Sequence, residues 1–394
     1  MKKVVFFINS LVGGGAERVL STMLFSLKDE FQLTLVLTDK RIDYDIPDGI
    51  NIVYLNSNWI NRFGFSKFFN IGLLAYKLAK ICSFTKADYC FSLTLRPNLI
   101  NSLSRIFGNK SVTILYEVAT PSVQYAKKNI SSFVIKKMIS TIYPKGDILL
   151  ANSMGVSNDL KVNFFIEKDI QVVYSPVNIE HIVNLSNVAC ELSDKECVRF
   201  VTVGRLDKGK NHEMMIKSFS KIKNTKSMLY ILGEGELKNE LKLLINKLSL
   251  QKRVLLLGFD NNPYKYLRQC DVFLFSSNFE GFPTVVIEAL VCGLPVISTD
   301  CYNGPREILS NVNNFQHIVY NIQLVDYGIL TPVNNQSCFI EAINVIMEND
   351  GLMEKYQKGA LERARYFANS DPAYGIKSVL FDYKSDRQRI TVGT

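Results

Sequence analysis

Phe200-Val-Thr-Val-Gly204-Arg205-Leu-Asp-Lys-Gly209-Lys210-Asn211-His212 decides how this chain is read. A short apolar and β-branched run breaks at a glycine, a basic loop follows, and a helix-period segment opens near Asn211. That is the strand, turn and helix of a parallel βαβ unit, whose strands are covered on both faces and so read as unbroken apolar runs. The pattern recurs in both directions. Upstream, Val4–Ile8, Leu33–Leu37, Ile52–Leu55, Tyr89–Leu93, Val112–Leu115, Ile148–Ala151 and Val172–Tyr174 read as strands, with helical patterns between most of them. Downstream of Phe200–Val203 come Met228–Leu232, Val254–Leu257, Val272–Phe275 and Val296–Ser298. The fold class is therefore α/β, with two Rossmann-like, doubly wound parallel sheets. A chain of 394 residues exceeds one ordinary core. The weakly periodic stretch from Ser175 to Glu196 is read as the linker, giving domains of 1–178 and 179–365 with a cleft at their boundary.

Composition narrows the class further. With 47% hydrophobic and 21% charged residues the chain reads as globular, and no apolar run approaches the roughly 18 residues a membrane span needs. The opening Lys2-Lys3-Val-Val-Phe-Phe-Ile8 has too short an apolar stretch for a signal peptide and reads as a buried strand. Eight scattered cysteines without a C-x-x-C pair point to a reduced, cytoplasmic protein lacking structural zinc. The net charge of +9 is concentrated in the first half, where residues 1–195 hold 22 Lys+Arg against 16 Asp+Glu. Two stretches there interleave cations with aromatic and aliphatic residues: Trp59 to Phe84, and Tyr125 to Lys145. Such segments suit an anionic membrane surface, and equally suit surface helices whose Phe residues are core. No basic nucleic-acid motif is present, so nucleic acid is not expected as a partner.

The chemistry concentrates in the second half. Arg205, with a planar fork for phosphate oxygens, and Lys210, a mobile point charge, follow Gly204 at the carboxyl end of a parallel strand, where open α/β sheets bind ligands. Asn278-Phe-Glu280-Gly281-Phe282-Pro283-Thr284-Val285-Val-Ile-Glu288-Ala-Leu-Val-Cys-Gly293 places a helix over about Pro283 to Cys292. Its free N–H groups, with Gly281 allowing close approach and Phe282, Pro283, Thr284 and Val285 shaping the entry, form an anion site. Glu288 is placed to accept from ribose hydroxyls, and Glu280 from sugar hydroxyls while stabilising a cationic reaction centre. Phe259, after Gly258, is expected near a nucleobase. Gly13-Gly14-Gly15 after the first strand is another phosphate-approach turn, but Arg18 stands where a dinucleotide fingerprint needs a third glycine. Tyr76 and Lys80 form an isolated Y-x-x-x-K, and His212 reads more readily as a capping or surface residue than as a catalytic one. Together these residues describe a site for a sugar joined to a nucleotide diphosphate.

The Gly13–Arg18 loop, Gly204-Arg205 with Lys210-Asn211, Gly233-Glu-Gly235, Leu257-Gly-Phe, Glu280-x7-Glu288 and Gly293-Leu-Pro295-Val resemble the GT4 group of retaining glycosyltransferases with the GT-B fold. The resemblance covers most of the chain, most densely residues 198–310. It implies two Rossmann-like domains facing across a cleft, the donor nucleotide sugar on the second and the acceptor on the first, with a C-terminal helix, about 366–394, packing back on the first. It implies that Arg205 and Lys210 bind diphosphate, Glu288 ribose and Glu280 the donor sugar, with no cofactor, no obligatory metal and retention of anomeric configuration. Many relatives carry a His in the loop that here reads Leu115-Tyr116-Glu117-Val118-Ala-Thr120-Pro121; this chain has only His181, His212 and His317. Tyr116 and Glu117 are the candidates to contact sugar or acceptor instead. The expected activity is transfer of a hexose or N-acetylhexosamine, UDP-linked, to a glycan or polyprenyl-diphosphate-linked acceptor of surface polysaccharide, by a cytoplasmic protein held peripherally at the inner membrane face. Two alternatives stand beside it. One is a metal-dependent GT-A enzyme using Asp43-Tyr44-Asp45, although that triplet lies in a polar turn. The other is a non-catalytic sugar-binding protein.

Overall fold

A computed structural model describes residues 1–55, 66–127, 129–190, 192, 196–311, 319–368 and 373–381, without the side chains of 66–69. Trp59 to Phe65, Lys128 and His317 lie outside the described residues. The chain divides into two compact units, Met1–Pro176 with Asp371–Thr394, and Val177–Ser370.

In the first unit the strands are β1 (Lys2–Ile8), β2 (Phe31–Leu37), β3 (Asn51–Tyr54), β4 (Tyr89–Leu93), β5 (Val112–Glu117), β6 (Ile148–Ala151) and β7 (Ile170–Val172). They form one parallel sheet in the order β3-β2-β1-β4-β5-β6-β7. Helices α1 (Gly15–Leu27), α2 (Ser66–Thr85), α3 (Leu95–Ser104), α4 (Pro121–Gln124), α5 (Ile130–Ile142) and α6 (Met154–Phe164) make the crossovers. The two-residue period of β1 explains its apolar run: Val4, Phe6 and Ile8 join one core with Phe91 and Tyr116, while Val5 and Phe7 join another with Leu74 and Leu78 of α2. A helix at 374–381 belongs to this unit. Lys2 Nζ and the Tyr89 hydroxyl both donate to Leu380 O, at 2.8 and 2.7 Å, and Phe381 tilts against Phe31.

The second unit opens with α7 (Ile179–Ser186), so a helix capped by Asn178 stands where weak periodicity suggested only linker. The strands are β8 (Val198–Val203), β9 (Ser227–Leu232), β10 (Val254–Gly258), β11 (Val272–Phe275), β12 (Val296–Thr299), β13 (Gln323–Val325) and β14 (Gly328–Thr331). Between and after them lie α8 (His212–Phe219), α9 (Lys238–Lys247), α10 (Tyr264–Leu267), α11 (Thr284–Val291), α12 (Pro305–Leu309), α13 (Gln336–Glu348) and α14 (Asp350–Phe367). Their order is β10-β9-β8-β11-β12-β14-β13, parallel except for the β13–β14 hairpin. That hairpin was not anticipated: three residues of β13 are too few to show a period, and β14 begins on a glycine. In this order β8 leads to β9 on one side and neighbours β11 on the other, which is a topological switch point.

Candidate active site

The switch point brings two distant loops together. Because β8 and β11 pair directly, with Phe200 opposite Val272, the loop after Val203 and the loop after Phe275 leave the sheet side by side. Side chains then stitch them. Ser276 Oγ donates to Lys210 O at 2.8 Å, Asn278 N to Gly209 O at 2.8 Å, and Asn278 Nδ2 to Lys208 O at 2.9 Å. Asn211, left-handed at φ +51°, caps α8 and donates to Asn278 and Asn334. Ser276, Asn278 and Asn334 escaped the sequence reading because a polar residue in a loop announces no partner.

Lys210 and Glu280 meet here, with Nζ 2.5 Å from Oε1 and side chains 21% and 15% exposed. The Lys210 stem lies over Gly204, and its ammonium stands 5.3 Å from the centre of the Phe275 ring. Glycine is required where the turns stack: a Cβ on Gly233, at φ +139°, would sit 1.9 Å from Gly204 O, and one on Gly235 2.4 Å from Leu206 O. Arg205 does not join the pair. It is 66% exposed and reaches Asp207 at 3.4 Å. His212 is neither surface nor cap but buried, and desolvation followed by the Lys210 charge holds its imidazole down to about 4, so it is neutral near pH 7.

The Glu280–Glu288 segment folds close to expectation, one residue shorter at each end. Pro283 is the N-cap rather than the first helical residue, and α11 runs to Val291, with Gly293 at φ +80° ending it. Gly281, Phe282 and Pro283 are buried, while Thr284 and Val285 in the first turn are partly exposed. Gly304, at φ +90°, packs on this entry: a Cβ there would lie 2.3 Å from Pro283 Cδ. Glu288 faces inward, 4% exposed, one turn beyond Thr284. Phe259 is 48% exposed beyond the end of β10.

The other candidates lie in the first unit. Gly14 caps α1 and Gly15 begins it, and Asp43 and Asp45 are exposed in the β2–β3 connection. Tyr116 and Glu117 require a correction: they are not in a loop but continue β5, paired with Leu150 and Ala151 of β6. Tyr116 is fully buried and donates to Val173 O at 2.7 Å. Glu117, 1% exposed, accepts from the Tyr143 hydroxyl at 2.5 Å and from the N–H groups of Val118 and Ala119. Burial raises its carboxyl to about 7 against these donors. Among the described residues no group of three His, Cys, Asp or Glu side chains is placed to hold a metal ion.

Residues 189–363 match the family described as glycosyl transferases group 1. The chain is 40% identical, over 93% of its length and 96% of the relative's, to N-acetylgalactosamine-N,N'-diacetylbacillosaminyl-diphospho-undecaprenol 4-alpha-N-acetylgalactosaminyltransferase of Campylobacter jejuni. It is 32% identical to an uncharacterized glycosyltransferase of Methanocaldococcus jannaschii, over 76% of this chain and 80% of that protein. Among solved structures, that of Anabaena Alr3699/HepE in complex with UDP and glucose superposes with a TM-score of 0.75 at 16% identity, covering 98% of this chain and 100% of that one.

Proposed function

The chain belongs to the group 1 glycosyl transferases and has their GT-B fold, and from that premise we propose that it moves an N-acetylhexosamine or hexose from a UDP-sugar to a polyprenyl-diphosphate-linked glycan of surface polysaccharide, with retention. The observation that carries this is the Lys210–Glu280 pair at the β8/β11 switch point, beside the start of α11. There the leaving diphosphate meets Lys210, Arg205 and the first-turn N–H groups, while Glu288 takes ribose hydroxyls and Glu280 those of the sugar. In the step, the anomeric carbon–phosphate oxygen bond breaks, the acceptor oxygen bonds to the same face, and the leaving phosphate oxygen takes the acceptor proton. Catalysis then rests on placement and charge stabilisation, without a protein base or a bound metal. The 40% identical relative is named for transfer of N-acetylgalactosamine to a diphospho-undecaprenol acceptor, which makes UDP-N-acetylgalactosamine the first donor to test.

The same reading includes peripheral membrane contact. No described helix is long and apolar enough to cross a membrane. On α5, Ile130 (84% exposed), Phe133 (71%) and the exposed Lys137 share one face at i, i+3 and i+7, an apolar and cationic stripe suited to anionic headgroups. The test incubates purified protein with a nucleotide-sugar panel, a polyprenyl-diphosphate saccharide and excess EDTA, and reads the anomer of the product by NMR. Donor hydrolysis or binding without transfer, or abolition by EDTA, counts against it.

A further inference from the structure

Arg363 is 6% exposed near the end of α14, and every edge of its guanidinium is committed. Nε donates to Ile308 O at 2.6 Å, Nη2 to Glu307 O and to Ser310 O at 2.8 Å each, and Nη1 to Asn311 Oδ1 at 3.1 Å. The ring centres of Tyr327, Tyr366 and Phe367 stand 4.9, 4.8 and 4.9 Å from its Cζ. The three carbonyls belong to the end of α12 and the residue after it, where a helix leaves such groups without partners of its own. A buried arginine from a distant helix thus caps α12, with a cation at the negative end of its dipole.

A helix of five residues, about 7.5 Å long, is too short to hold itself, so contacts at its two ends decide where α12 lies. In its first turn Arg306 donates to Asp300 Oδ2 from Nε at 3.1 Å and from Nη2 at 2.5 Å. One tether leaves a pivot, and Arg363 at the other end removes it. The residue before α12 presses on the segment leading into α11: a Cβ on Gly304 would stand 2.3 Å from Pro283 Cδ, 3.2 Å from Gly281 O and 3.3 Å from Phe282 Cα. Phe367, one turn beyond Arg363, meets the same segment directly, with its ring edge-on to Phe282 at 5.4 Å.

We propose that the end of α14 positions the diphosphate site of the donor, with Arg363 acting through α12 and Gly304, and Phe367 acting through Phe282. This rests on the glycosyl-transfer reading above, in which the first-turn N–H groups of α11 take the diphosphate. Gly281, Phe282 and Pro283 aim those N–H groups, and glycine, phenylalanine and proline carry no hydrogen-bonding side chain with which to anchor themselves. Packing from behind therefore fixes the segment. Both residues of α14 are positioning residues. A lysine at 363 keeps a cation among the three rings, but one ammonium cannot span the carbonyls that a planar fork holds together.

The experiment titrates the full-length protein with UDP and with uridine, which shares the base and ribose but carries no phosphate, and reads both Kd values by calorimetry below the Tm of every variant. Arg363→Lys is expected to weaken UDP about tenfold and uridine by less than about twofold, while the KM for the polyprenyl-diphosphate saccharide stays within about twofold. A role confined to stability predicts a lower Tm with both Kd values unchanged, or UDP and uridine weakened equally, and either result overturns the proposal. If Arg363→Lys does not fold, Phe367→Leu decides by the same two titrations, because it leaves the four hydrogen bonds of Arg363 in place: selective weakening of UDP supports the positioning role and equal or absent weakening overturns it. Wild type that neither binds UDP nor transfers sugar overturns the glycosyl-transfer reading and the positioning role with it. Wild type that does both, beside a variant whose UDP and uridine affinities keep their ratio, overturns the positioning role alone.

Discussion

Lys210→Met deletes one charge and keeps an aliphatic stem over Gly204 and Phe275, so its consequences can be worked from the Lys210–Glu280 contact. At 2.5 Å, with side chains 21% and 15% exposed, the pair lies between the surface and buried limits. Losing one partner is therefore expected to cost about 2 kcal/mol of stability, since exposed pairs contribute less than about 1 and broken buried pairs cost about 3–5. For a unit of this size that is a fall of about 4–8 °C in Tm. The effect on turnover is larger: without the cation the leaving diphosphate loses a placed counter-charge, and kcat should drop by about 100- to 1,000-fold, or about 3–4 kcal/mol. Glu280→Gln alone should lower both quantities. In the Lys210→Met/Glu280→Gln double variant no charge is orphaned, so Tm recovers part of the loss while kcat does not. Differential scanning calorimetry and initial rates with saturating UDP-sugar read the two effects separately. A kcat within threefold of wild type for Lys210→Met, or turnover that recovers alongside Tm in the double variant, would refute a role for the pair in transfer.

Three further outcomes are expected. Gly233→Ala places a methyl group 1.9 Å from Gly204 O at a positive φ, so thermal denaturation should show a loss of roughly 3 kcal/mol or more; a melting curve like wild type would mean that the stacked turns are not rigid. Glu117 has a folded-state pKa near 7, above its ordinary carboxylate value, so the folded state binds the proton more tightly than the unfolded state. The stability from this group is fully present below pH 4.5 and is lost as pH rises through 7, and Glu117→Gln should flatten the fall in Tm of wild type between pH 5.5 and 8.5; parallel curves would show that Glu117 does not titrate there. The Ile130→Ser/Phe133→Ser variant should sediment several-fold less with vesicles containing phosphatidylglycerol while keeping its rate on a water-soluble acceptor, and unchanged sedimentation would remove the α5 face from the membrane contact.

Several elements were legible without a structure, for local reasons. Tyr89–Leu93, Ile148–Ala151 and Val272–Phe275 coincide with β4, β6 and β11 because central parallel strands are apolar on both faces. The α11 helix was framed by Pro283 and Gly293, whose backbone limits are intrinsic. Where local signals ended, the reading drifted. β5 ran past Leu115 because Tyr116 and Glu117 gain partners on β6, a reward that the sequence of β5 does not contain, and two expected contact residues were thereby buried in the sheet.

Periodicity and the glycine and proline positions determined by themselves that this chain is a two-sheet α/β protein with glycine turns after its strands, because each depends on the geometry of neighbouring residues along the backbone. Which strands lie side by side was decided only by the tertiary structure. Strand pairing is a long-range choice, and it alone set β8 against β11 and closed Lys210 onto Glu280 across 70 residues of chain.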